Sequence, residues 1–144
     1  MAPLLIRHRS GLPADEAWRR LTDWERHADH VPFTRTTVTT PSARGVGARF
    51  VARTGLGPLA VDDVMEVVAR HPPSAAGPGR CRLAKRGSVI KGWAELEVGM
   101  LGTGSYVVRR EDLRLKGRHR LLAPVVNRCG TLLFARVVRR LLAG

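Results

Sequence analysis

Between Leu121 and Ala143, apolar residues fall at Leu122, Val126, Cys129, Leu133, Val137 and Leu141, in steps of three and four. That spacing predicts one face of a long helix. Phe134, Val138 and Leu142 widen the face, while Arg128, Arg136 and Arg139 share the opposite flank. Pro124 fits the first turn, where its missing N–H costs little. Gly130 weakens a helix interior by roughly 1 kcal/mol relative to alanine, and a close contact with another backbone would explain it.

The pattern before this helix has a period of two. Leu4 to Arg9 reads as a first strand, ended by Gly11-Leu12-Pro13. Pro13 opens a short helix with Asp15 and Glu16 in its first turn and Ala17, Trp18 and Leu21 as its buried side. Thr22 or Asp23 can cap a second short piece carrying Trp24 and His27, which ends at Val31-Pro32-Phe33. Strands are then expected at Thr34–Thr40, Ala48–Thr54, Leu59–Arg70, Arg80–Arg86, Val89–Val98 and Ser105–Leu115. His71 to Gly79 reads as a loop, and Gly99 to Gly104 as a hairpin turn. Six consecutive strands on short connections predict antiparallel neighbours. Each has one apolar face, and only the terminal helix is long enough to cover that side.

At 144 residues and 44% hydrophobic content, a single domain over 1–144 with a real core is expected. No apolar run approaches the ~20 residues that span a bilayer. The start, MAPLLIRHRS, puts a short apolar run before Arg7, His8 and Arg9. A secretory leader has the reverse order, so a cytoplasmic location is expected. Cys81 and Cys129 form no CxxC pair and stand at apolar positions, as reduced core thiols do. Basic residues outnumber acidic ones 25 to 12, for a net charge of +13. The excess is almost all arginine, scattered in runs no longer than two, which reads as a surface property and speaks against a nucleic-acid arm.

The element order, with GVGARF, GLGPLAVDDVMEV, KGWAELEV, GTGSYVVRRED and a terminal LFARVVRRLLA, resembles the START-like superfamily of polyketide cyclases, birch-pollen-allergen proteins and lipid-transfer domains. The likeness covers about residues 3 to 143 and is closest to small bacterial members labelled polyketide cyclase or dehydrase. It implies an α+β helix-grip fold: a seven-stranded antiparallel sheet wrapped around the long C-terminal helix, with two short helices after the first strand. A cavity for an apolar or amphipathic ligand is implied between sheet and helix. Its walls would come from Phe50, Met65, Val67, Leu83, Leu96 and Val107 on the sheet and Val126, Cys129 and Leu133 on the helix. Family members often carry an aromatic where this chain has Arg109, so the cavity here is expected to be partly polar.

Arg109 and Glu111 stand two apart on one strand and share a side with Val107, Leu113 and Leu115. Asp63 shares its side with Val61 and Met65. Buried charges must pair, so Asp63, Arg109 and Glu111 are expected to form an internal network, with Arg109 against Glu111 or Asp63. Such a network can orient a ligand carboxylate, hydroxyl or carbonyl. It can also polarise a carbonyl with Glu111 as base, in an aldol-type cyclisation. A salt bridge at the sheet rim is the plainer alternative. His27 and His30 flank Asp29, but a metal site needs three or four ligands, so neither metal nor cofactor is expected. Trp93 faces away from the expected core, beside Glu95 and Glu97.

Three functions follow. The first is a carrier or sensor of a small hydrophobic or amphipathic molecule, as monomer or homodimer. The second is a cyclase or dehydratase using Asp63, Arg109 and Glu111, with His30 at the mouth. The third, charge-driven binding to nucleic acid or an anionic membrane, requires one continuous basic face.

Overall fold

The computed structural model describes residues 4–27, 34–41, 45–55, 60–115 and 135–143. Strand β1 (Leu4–Ser10) is followed by helices α1 (Ala14–Leu21) and α2 (Trp24–His27). Strands β2 (Thr34–Val38), β3 (Arg49–Thr54), β4 (Val61–His71), β5 (Gly79–Arg86), β6 (Ile90–Leu101) and β7 (Gly104–Leu115) come next. All seven form one antiparallel sheet in the order β1-β7-β6-β5-β4-β3-β2. Residues 135–143 are helical. The architecture is the expected helix-grip α+β fold. The upstream part of the expected helix, with Val126, Cys129 and Leu133, lies outside the described residues.

Alternation explains the core. Cys81, Leu83 and Lys85 on β5, and Ala94, Leu96 and Val98 on β6, are buried, while the β5 residues Arg80, Arg82 and Arg86 are exposed. On α1, Ala14, Ala17, Trp18 and Leu21 are buried at helical spacing. Val137, Val138, Leu141 and Leu142 of the terminal helix join the same core as the sheet residues. Arg20 ties the two helices together by donating to the Leu141 carbonyl at 3.2 Å. Trp24 stacks on Phe50, with ring centroids 5.0 Å apart and planes 9° from parallel.

Two details differ from the sequence reading. The β6–β7 hairpin is tighter than the expected Gly99–Gly104 turn: β6 runs to Leu101, which pairs with Gly104. Only Gly102 and Thr103 turn, and Gly102 has φ 62, the left-handed conformation a two-residue hairpin demands. In β4 a bulge between Val67 and Ala69 reverses the alternation. It brings Arg70 opposite the buried Cys81, with the Arg70 guanidinium 5.5 Å from the Trp18 ring centre.

Candidate functional site

The inner face of the sheet is ruled by cross-strand rows. One row runs Phe50, Met65, Lys85, Gly92, Leu113 from β3 to β7. The next runs Val67, Leu83, Ala94, Glu111, and a third joins Arg70, Cys81, Leu96, Arg109 and Ile6. Phe50, Met65, Val67, Leu83, Leu96 and Val107, the expected apolar wall, are all buried.

A band of charge crosses that wall diagonally. The Lys85 Nζ donates to Asp63 Oδ2 at 2.7 Å and lies 2.9 Å from Glu111 Oε1. Arg109 Nη2 lies 3.5 Å from Glu111 Oε2. Side-chain exposure is 0% at Lys85, 2% at Glu111, 8% at Arg109 and 16% at Asp63, so the band is desolvated and Asp63 is its outermost member. The Lys85–Glu111 contact is an ion pair by distance without the direction of a hydrogen bond, since Glu111 Oε1 has none. Asp63 Oδ1 is buried and likewise accepts no hydrogen bond.

The expected network therefore exists, with one member added. Arg109 pairs with Glu111, one of its two expected partners, and Asp63 is taken by Lys85. Lys85 is the residue that sequence reasoning missed. Its signal was present, because it alternates with the buried Cys81 and Leu83 and so had to point inward.

The pKa values follow from burial and neighbours. At Asp63 burial pushes the carboxyl above its usual value, and Lys85 only partly offsets it. At Glu111 burial also acts upward, but Lys85 and Arg109 together outweigh it and hold the carboxyl below its usual value. Burial works against the Lys85 charge, yet Glu111 and Asp63 more than reverse this, so the ammonium is held more firmly than in water. Nearby, burial pushes the Cys81 thiol up to about 11, against the opposing fields of Arg70 and Arg109.

The outer face is a patchwork. Glu95 takes Arg82 and Arg110, Glu97 takes Arg80, Glu66 takes Arg49, and Asp62 takes Arg53. Trp93 faces outward as expected and lies under the Arg82 guanidinium, 4.6 Å from ring centre. A cleft of about 250 Å³ lies at the α1 start and hairpin tip, lined by Pro13, Asp15, Pro73, Met100 and Thr103. None of the candidate residues lines it. His30 lies outside the described residues.

No protein-family model matches the chain, and no curated protein matches it. Solved structures do. TTHA0849 from Thermus thermophilus matches with a TM-score of 0.74 at 14% identity, over 96% of this chain and 93% of that one. The Zhui aromatase/cyclase from Streptomyces sp. R1128 gives 0.63 at 14%, over 94% and 90%. A norcoclaurine synthase point mutant from Thalictrum flavum, bound to a transition-state analogue, gives 0.62 at 12%, over 99% and 97%. At such low identity the shared feature is the fold, and it extends over nearly the whole of each chain. Together with the seven-stranded order and the terminal helix, these matches show that the chain carries the helix-grip fold expected from its sequence.

Proposed function

We propose that this protein binds a small hydrophobic or amphipathic molecule against the inner face of its sheet, as a carrier or sensor. The observation that carries this reading is the charged band. Four ionisable groups are kept inside an otherwise apolar wall, where well-packed hydrophobic residues would often be as stable or more so. A polar handle for a ligand explains that expense. The norcoclaurine synthase match, solved with a transition-state analogue, supports the reading by example. Native mass spectrometry of protein purified from its own cells, with a thermal-shift panel of lipids and polyketides, tests it. A co-purifying small molecule, or panel members that raise Tm, is the expected result. Protein that carries nothing and shifts with nothing overturns it.

A second reading, a cyclase or dehydratase, is favoured by one observation: Asp63 and Glu111 are pushed in opposite directions by their surroundings. The roles change from the sequence expectation. Glu111, held ionised by Lys85 and Arg109, is a weak base, whereas the raised Asp63 carboxyl is the better proton acceptor. In this reading Asp63 takes a proton next to a ligand carbonyl, and Lys85 with Arg109 stabilises the developing enolate. Deuterium exchange into a 1,3-diketone probe, lost in Asp63→Asn, is its test; exchange no faster than in buffer removes it. The interleaved acids of the outer face speak against a single charge-driven surface for nucleic acid or membrane.

A further inference from the structure

Resting on the binding reading above, we infer that the ligand is uncharged and presents a hydroxyl or amide N–H to Asp63 Oδ1. Three observations carry this. The band is internally balanced, two cations (Lys85 and Arg109) against two carboxylates (Asp63 and Glu111), and the further inward cation, Arg70, lies over the Trp18 ring. A ligand carrying charge of either sign would leave one unbalanced charge in a desolvated site, which is costly. The cations are also already engaged: Lys85 lies between Asp63 and Glu111, and Arg109 stands against Glu111. A ligand carboxylate would have to compete with carboxylates fixed in place.

What the band lacks is a donor. Asp63 Oδ1 is a buried acceptor with no hydrogen-bond partner, while its other oxygen is held by Lys85 at 2.7 Å. Buried polar atoms in proteins are nearly always hydrogen-bonded, and an orphan calls for an explanation. Asp63 is also the outermost member of the band, beside Met65 and opposite the partly buried Ala52 of β3. A molecule with its apolar body on Phe50, Met65 and Leu83 would meet this oxygen with its polar end. Of the three ligand groups that a polar network could orient, the hydroxyl fits, and the carboxylate and bare carbonyl do not.

Four probes sharing one ring system test the inference on the unaltered protein: 2-naphthol, 2-methoxynaphthalene, 2-naphthoate and naphthalen-2-ylmethylammonium, titrated calorimetrically at pH 7. Naphthol should bind about tenfold tighter than each of the others, the size expected of one hydrogen bond to a charged acceptor. In Asp63→Ala the advantage over methoxynaphthalene should vanish, and in Asp63→Asn, which keeps an acceptor oxygen, it should survive in part. If methoxynaphthalene or either ion binds as well as naphthol, the inference fails while the binding reading stands. A naphthol advantage that survives Asp63→Ala also overturns it. If none of the four binds, the inference falls, and the binding reading is decided by the mass spectrometry and thermal-shift panel above.

Discussion

Lys85 and Glu111 belong to strands that are not neighbours in the sheet, yet their charged ends lie 2.9 Å apart. β6 runs between them, so the pair spans two strand spacings of about 4.8 Å each. The inward positions of β6 beneath that span are Gly92, opposite Lys85, and Ala94, opposite Glu111. With no large side chain in the way, the four-carbon lysine stem crosses over and brings its ammonium to the carboxylate.

Removing that bridge should be costly. Lys85→Met keeps the stem and deletes the charge, leaving two buried carboxylates without their shared cation. Urea unfolding should show a loss of about 3–5 kcal/mol. Arg109→Ala should cost less, about 1–3 kcal/mol, because Glu111 retains Lys85. The reverse ranking would mean that Arg109 organises the band.

The same pair sets the pH response, with opposite signs at the two ends of the scale. The folded pKa of Glu111 lies below the usual 4.5, so its contribution is complete above 4.5 and is lost as pH falls below it. The folded pKa of Lys85 lies above 10.5, so its contribution is complete below 10.5 and is lost as pH rises beyond. Asp63, raised above 3.8, works against Glu111 on the acid side by favouring the folded state when protonated. The stability gap between wild type and Lys85→Met should therefore stay level through neutral pH and narrow above 10.5. A gap that is unchanged above 10.5 in alkaline denaturation curves would contradict the pairing.

Gly92 should tolerate no side chain. Its φ is 129, and an added Cβ would sit 1.8 Å from the Asp112 carbonyl oxygen on β7. Gly92→Ala must shift the β6–β7 pairing as well as adopt a strained backbone. The expected loss is at least about 2 kcal/mol, read as a drop in Tm.

On the outer face, Arg86, Lys91 and Arg114 stand directly opposite one another across three strands. Like charges in that relation repel. Lys91→Glu should stabilise the protein by about 0.5–1 kcal/mol, and the gain should shrink in high salt. A destabilisation that persists at 0.5 M NaCl would show that Lys91 has another role.

Cys81 should be inert while the protein is folded. It is 1% exposed, and burial lifts its pKa to about 11, so little thiolate forms at neutral pH. Iodoacetamide at pH 8, followed by peptide mapping, should label Cys81 only in urea. Rapid labelling of folded protein would place this strand nearer the surface.

Much of this was legible because strand alternation leaves few choices. Val107, Arg109 and Glu111 share a side, and the buried Val107 takes both charges inward with it. The antiparallel order followed from short connections, and α1 from Pro13 and the spacing of Ala17, Trp18 and Leu21. What escaped was of two kinds. The bulge in β4 cannot be read from periodicity, because one extra residue leaves each flanking segment regular; Arg70 was therefore not foreseen inside. The Lys85 pairing depends on which strands lie two apart and on how small Gly92 and Ala94 are, facts that belong to the assembled sheet. Lys85 itself shares a side with Cys81 and Leu83, so its face was readable and only its partners were not.

The pairing of β1 with β7 has a consequence in time. Ile6 lies opposite Arg109, more than two thirds of the chain away. As the chain leaves the ribosome, β1 emerges before β7 and cannot find its neighbour until β7 has followed. Until then it is an unpaired strand, and the closing of so long a loop slows folding. The wall beside Arg109 and Glu111 also stays open to water for that interval. Their charges can meet while still hydrated, and the return of β1 to β7 then brings Ile6 against Arg109.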